Sequence, residues 1–188
     1  MDSDADWLRT DELTEGVKGL RQAREMLAAG LVDAYELKWA ALAVVTSLQG
    51  FIVAVHRTME VLSWDQKAMK QFEAWQAGEA ESVVPTSDVR LPSFRPLCEK
   101  VKDRGWQPDD ATWDQLMRLN EIRDTFMHYT SGGLSAETRW VREACAAGLA
   151  AIRFLVDDAT SNVWPDDETE LTVRRELDAA ERLVRLGL

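Results

Sequence analysis

The chain predicts an all-α fold. Apolar residues recur at helical spacing in every long segment, and no stretch alternates apolar and polar with a period of two. With 5 Pro and 10 Gly in 188 residues, there is little room for a turn-rich β architecture. This length suits one domain, 1–188, with a sizeable core: an antiparallel up-and-down bundle of about six to seven helices.

The first helix is expected from Asp11 to Ala29, with Thr10 as N-cap, Gly30 as its stop, and a stripe of Leu13, Val17, Leu20, Ala23 and Leu27. A second starts near Asp33 and reaches Leu62. Its apolar positions, Leu37, Ala41, Val44, Leu48, Phe51, Ile52, Val55, Met59 and Leu62, are too many for a surface helix, so it should be the spine of the bundle. Ser63 and Gln66 have the spacing of a capping box and predict a third helix, Trp64 to about Ala80. Glu81 to Pro92 reads as a loop, followed by a short helix from Ser93 to Arg104 that ends at Gly105. Asp109 or Asp110 should cap a fifth helix, Ala111 to Tyr129. After the turn Ser131-Gly132-Gly133, Ser135 should cap a sixth, Ala136 to Asp158, with Val141, Cys145, Gly148, Leu149, Ile152 and Leu155 inward. A charged helix, Glu168 to Leu186, closes the chain, its arginines Arg174, Arg175, Arg182 and Arg185 paired mainly with acidic residues of the same helix.

Composition narrows the function. A net charge of -11 argues against a nonspecific nucleic-acid binder, because phosphate affinity rests on Lys and Arg, although a small basic site inside an acidic shell stays open. Cys98 and Cys145 lie far apart and read as two buried free thiols in a reducing cytosol. The acidic start, Met1 to Asp6, has no apolar signal core. The run Trp39 to Val55 contains Thr46, Ser47, Gln49 and Gly50 and falls short of a membrane span, so a cytoplasmic protein away from membranes is expected. There is no Walker loop, dinucleotide glycine fingerprint, nucleophile elbow or zinc-type spacing, and no cofactor is expected.

The richest stretch is Leu119-Asn120-Glu121-Ile122-Arg123-Asp124-Thr125-Phe126-Met127-His128-Tyr129. On an ideal helix Leu116, Leu119, Ile122, Phe126 and Tyr129 face the core, while Asn120, Asp124 and His128 form a separate polar stripe. Arg123 lies at the edge between them and points about 140° away from His128. A two-fold dimer packed through this helix would bring both residue types into one cleft. RNA can cut itself when its 2′-hydroxyl attacks the adjacent phosphorus. A histidine can move the proton, and an arginine can hold two phosphate oxygens as charge builds, without a metal or cofactor. Asp124 could orient the His128 ring, and Asn120 could hold a phosphate oxygen or Asp124 itself. A different pattern, His56 and Glu60 on the spine helix facing Asp124 and His128, has two His–carboxylate pairs but lacks the Glu-x-x-His spacing of a ferritin-like centre, and no metal is expected.

In these residues the chain resembles the HEPN superfamily (higher eukaryotes and prokaryotes nucleotide-binding). Its signature is an Arg followed by a polar residue, with a His four to six residues further on; Arg123, Asp124 and His128 match it. The resemblance implies a HEPN-like core over 31–160, with 1–30 and 161–188 as appended helices. It further implies a homodimer, catalytic Arg123 and His128 supported by Asp124, Asn120 and Tyr129, and metal-independent endoribonuclease activity on RNA. The setting it implies is toxin–antitoxin or antiviral defence, with an antitoxin or other defence protein as partner. Residue 124 is Asp where Asn is commonest, and Tyr129 follows the histidine directly, whereas one branch has its Tyr a position later, where this chain has Thr130. The alternatives are a non-catalytic HEPN-like module that binds a protein or nucleotide, and an unrelated helical adaptor.

Overall fold

Capping chemistry sets where the helices begin. In the computed structural model, which describes residues 11–61, 63–64, 78, 89–90, 92–127, 136–158 and 163–188, α1 spans Glu12–Ala29 and its N-cap is Asp11, whose carboxylate accepts the Thr14 N–H at 2.7 Å. The expected cap Thr10 lies outside the described residues. Asp33 accepts the Tyr35 N–H at 2.9 Å and starts a 3-10 turn, Ala34–Glu36, that leads into α2, Leu37–Val61. Next come α3 (Phe94–Asp103), α4 (Asp110–Met127), α5 (Thr138–Asp157) and α6 (Asp167–Leu186). Asp109 caps α4 through the Thr112 N–H at 2.7 Å, and Asp166 caps α6 through the Thr169 N–H at 2.6 Å. A short side-chain oxygen at the N-cap satisfies a donor that the helix itself leaves orphaned. Gly105, at φ 102°, turns the chain after α3 in a conformation that suits glycine.

The expectation of no sheet needs one correction. Ser63–Trp64 (β1) pairs antiparallel with Val89–Arg90 (β2), Ser63 opposite Arg90 and Trp64 opposite Val89. Trp and Val suit extended backbone, and this pairing takes the two residues expected to cap and open a third helix. Within the rest of that expected helix the structure describes Gly78, which turns at φ 73° and is not helical; its other residues and most of the 81–92 loop lie outside the described residues. The helix expected from Ala136 behind a Ser135 cap instead starts at Thr138 with Glu137 at its N-cap. A ladder of two residues per strand leaves the fold all-α.

Side-chain neighbours fix the helix directions. Gly16 meets Gly50 and Phe51, whereas Gly30 meets Leu37, so α1 and α2 are antiparallel. Gln115 reaches Glu143 while Phe126 lies near Thr138, so α4 and α5 are antiparallel. Arg153 bonds Asp178 and Glu181, and Arg142 lies by Gly187, so α5 and α6 are antiparallel as well. Consequently α1, α4 and α6 bring their C-terminal ends to the end of the bundle where α2 and α5 begin.

One core joins these helices. Leu20, Ala23 and Leu27 of α1 and Val173, Leu177, Ala180 and Val184 of α6 are buried together with Val44, Leu48, Phe51 and Ile52 of α2 and Leu149, Ile152 and Leu155 of α5. The first and last helices thus share the interior of the 31–160 segment. The segment Ala34–His56 is longer than the apolar run read from sequence and has the length and composition to cross a membrane, yet 67% of its most apolar window is buried inside the bundle. Its polar and small residues are what let α1 approach. The Ser47 hydroxyl donates to the Gly16 carbonyl at 2.8 Å, and a Cβ on Gly50 would stand 2.6 Å from the Gly16 nitrogen.

Candidate functional site

Leu116, Leu119 and Ile122 are buried, and Phe126 packs partly buried against the same core, which orients α4 as its periodicity predicts. Arg123 is left at the boundary with its side chain 28% exposed, reachable from solvent. Its Nε and Nη2 donate to the same Asp124 oxygen, at 2.9 and 2.6 Å, and the Asn120 amide donates to the other oxygen at 3.0 Å. Asn120, Asp124 and Arg123 therefore form one hydrogen-bonded run along the polar edge of α4. Asp124 is held by these two residues through three hydrogen bonds, and a carboxylate with about four lone-pair sites has room for about one further donor. The Asn120 Oδ1 is buried and has no hydrogen-bond partner among the described residues. His128 and Tyr129 lie outside the described residues; α4 is described as far as Met127.

Of the alternative metal pattern, the two residues whose side chains are described, His56 and Asp124, are not brought together. Lys38, at the start of α2, lies over the Phe126 ring near the end of α4. His56 is 18 residues further along α2, about 27 Å away at 1.5 Å per residue, toward the opposite end of the bundle from Asp124. His56 is buried there. No group of three or more His, Cys, Asp or Glu side chains suited to a metal ion occurs among the described residues. Cys98 and Cys145 are both buried free thiols, and burial pushes each up to about 12.

Two buried cations at the motif end escaped the sequence reading. Lys38 is 9% exposed, and its ammonium lies 4.8 Å from the ring centre of Trp39, 5.7 Å from that of Phe126 and 5.8 Å from that of Tyr35. Arg142 is 4% exposed, and its Nη2 donates to the Gly30 carbonyl at 2.8 Å. A Cβ on Gly187 would stand 2.3 Å from its guanidinium carbon, so the ends of α1 and α6 both close over it. The negative ends of two helix dipoles thus face this charge, while Arg142 Nη1 has no hydrogen-bond partner among the described residues. The sequence holds only the local part of each signal. Tyr35 and Trp39 bracket Lys38 at i−3 and i+1, and Arg142 lies one turn before Cys145 on the buried side of α5.

Beside Lys38 there is a half-open cavity of about 160 Å³, lined by Ala34, Tyr35, Lys38, Phe126, Thr138 and Val141, among others. Tyr35 and Trp39 are 61% and 40% exposed, large aromatic surface left to solvent at this end. Fold and site together define a helical bundle that places a polar Arg–Asp–Asn edge and an aromatic, cationic cavity on neighbouring parts of one end. Comparison with protein-family models, with curated proteins and with solved structures finds no match to this chain.

Proposed function

We propose that the chain is a HEPN-like, metal-independent endoribonuclease with Arg123 and His128 as its catalytic residues. The observation that carries this reading is the Arg123 guanidinium, solvent-reachable on α4 and fixed in place by Asp124 and Asn120. A positioned guanidinium can pair with two phosphate oxygens and offset the charge that develops at phosphorus. The 2′-oxygen attacks phosphorus, the bond to the 5′-oxygen breaks, and the products are a cyclic 2′,3′-phosphate and a free 5′-hydroxyl. His128 takes the proton of the attacking hydroxyl or supplies that of the leaving one. A two-fold dimer through α4 brings a second Arg–His pair to the same cleft and overcomes the divergence of the two side chains on one helix. The proposed setting is a cytoplasmic toxin–antitoxin or antiviral defence system, with an antitoxin or defence protein as partner. Tyr129 would act in support.

A second reading, a non-catalytic HEPN-like module that binds a protein or nucleotide, is favoured by the carboxylate on Arg123. Asp124 neutralises part of the charge that a phosphate would need, within a chain of net charge -11.

One assay decides between them. Purified chain is incubated with single-stranded RNA in the presence of a chelator, and the ends of the products are mapped. Cyclic 2′,3′-phosphate ends from the wild type, with Arg123→Ala and His128→Ala each at least about a hundredfold slower, fit the ribonuclease. Intact RNA, or cleavage indifferent to both substitutions, leaves the binding module.

A further inference from the structure

Helix α5 keeps a narrow outer face. From Arg142 to Val156 only Glu143, Ala146, Ala150, Arg153 and Phe154 escape full burial, and Arg139 and Asp157 near its two ends are exposed. Arg139, Glu143, Ala146, Ala150, Arg153 and Asp157 follow one another at alternating steps of four and three residues. That is the a/d spacing of a coiled-coil seam, and it gathers all six within about 80° of arc. Ala146 and Ala150 line an open groove of about 490 Å³, with Gln115 of α4 and the exposed Leu188 beside them.

The charges along this seam change sign about its middle. Outward from the midpoint between the two alanines, one arm carries Glu143 and then Arg139, and the other carries Arg153 and then Asp157. Every charge on one arm therefore has its opposite at the matching place on the other. A second α5 laid antiparallel on the first sets Arg139 of each copy against Asp157 of the other, Glu143 against Arg153, and Ala146 against Ala150. A parallel arrangement would set like on like at each charged layer. The six residues sum to zero charge, so this seam is neutral on a chain of net charge -11, whose copies repel elsewhere.

We propose that the outer face of α5 takes a second copy of this chain, antiparallel and related by a two-fold axis that passes between Ala146 and Ala150. The alanines carry nothing beyond Cβ, so the two helices approach to the short end of the usual 8–10 Å. The charged groups keep the partners they have. Arg139 bonds Glu143, Arg153 bonds Asp178 and Glu181, and Arg174 bonds Asp157. A carboxylate accepts at about four sites and a guanidinium has five N–H groups, so each layer extends an existing network across the axis. The Arg139 and Asp157 side chains, 72% and 47% exposed, can meet a second copy without rearrangement. A helix of 20 residues is about 30 Å long. With α4 and α6 flanking it at 8–10 Å, the face is broad enough for the roughly 800 Å² per partner of a standard interface. Gln115 reaches Glu143 and so marks the side of α4 that faces α5, and Asp124, nine residues further on, points about 180° away. The interface therefore leaves the Asp124 edge of α4 open and stands independently of the ribonuclease reading.

The test follows the full-length chain by sedimentation velocity across about 1–100 μM. The wild type should associate within that range. Arg139→Glu and Asp157→Arg each set like charges together in both outer layers and should weaken association at least about tenfold. An equimolar mixture of the two variants regains an opposite pair in both layers, so it should associate as the wild type does. Cysteine trapping reads the register, with the buried Cys98 and Cys145 of the wild type as background. Ala146→Cys mixed with Ala150→Cys should cross-link well ahead of either variant alone. The mixture places its thiols directly opposite, whereas two copies of one substitution are offset by four residues, about 6 Å along the axis. Thermal melts establish that each variant folds, and if Asp157→Arg does not, the cysteine mixture decides. A wild type that stays monomeric throughout the range overturns the proposal. So does association indifferent to both charge reversals, a charge-reversed mixture as weak as its components, or cross-linking no faster in the cysteine mixture than in its parts.

Discussion

Arg123 donates through two nitrogens to a single oxygen of its neighbour Asp124. The pairing holds the guanidinium still and also lowers its effective charge. Asp124→Asn removes the charge while keeping an oxygen for Arg123 and the polar contact to Asn120. It should tighten single-stranded RNA binding several-fold. The slope of log affinity against log salt should steepen by about 0.7, the value of one more neutralised phosphate on a single strand. Anisotropy titrations across a salt series measure this, and an unaltered slope would mean that Arg123 does not engage phosphate.

The α1–α2 seam predicts a steep stability effect from a small substitution. At Gly50 an added methyl meets only backbone: the Gly16 nitrogen at 2.6 Å and the Glu12 carbonyl at 2.7 Å. Neither can rotate away, so Gly50→Ala should cost about 3 kcal/mol, the upper part of the overpacking range. For a chain of this size that is a drop of about 6–12 °C in Tm. Ser47→Ala, which loses only the bond to the Gly16 carbonyl, should cost about 1 kcal/mol. Calorimetry that ranks Ser47→Ala as the more harmful would contradict this account of the seam.

Arg142 separates packing from charge. Arg142→Ala leaves a void among Val141, Cys145 and the ends of two helices, and should cost about 3 kcal/mol. Arg142→Met fills much of the volume and removes a desolvated cation, and it should lie within about 1 kcal/mol of wild type. Urea unfolding of both variants compares them. Equal losses would show that the guanidinium itself, through its bond to Gly30, is what holds this end closed.

Acid should loosen three helix starts together. The N–H of Thr14 holds the Asp11 carboxyl below its ordinary 3.8, hydrogen bonds from Thr112 do so for Asp109, and the N–H of Thr169 does so for Asp166. With each folded value below the unfolded one, the unfolded chain binds more protons between the two, and stability rises with pH across that window. The contribution is complete above about pH 4 and disappears as pH falls through the folded values. Tm measured from about pH 6 down to about pH 2 should begin to fall near pH 4. Asp166→Asn keeps a cap without a titrating charge and should make that fall shallower; an identical profile would remove Asp166 from this explanation.

Much of the bundle was legible because its helices carry their own signals. Leu20, Val44 and Ile152 fall on stripes that a period of 3.6 reveals, and Asp33 and Asp109 are short acceptors placed before apolar runs. Of the candidate site, the position of Arg123 at the edge between core and solvent follows from the same periodicity. Asp124 was legible as one possible partner of Arg123 from their adjacency; that it, rather than Glu121 or a neighbouring helix, is the acceptor was not, since rotamer choice decides which of several near neighbours an arginine meets. Lys38 and Arg142 were missed for another reason. Each charge depends on residues distant in sequence, Phe126 for one and Gly30 and Gly187 for the other, and only chain reversal brings them together. The pairing of Ser63–Trp64 with Val89–Arg90 has the same long-range origin.

Burying Lys38 and Arg142 also changes what the protein presents from a distance. Two positive charges withdrawn beneath aromatic rings and helix ends contribute less to the field outside a chain whose formal net charge is -11. Under the ribonuclease reading, a strand of RNA would meet repulsion from most directions, and the solvent-reachable Arg123 would be the cation that receives it. Such a field sorts encounters by direction of approach before any contact is made, so an acidic exterior and a polyanionic ligand are compatible in one small molecule.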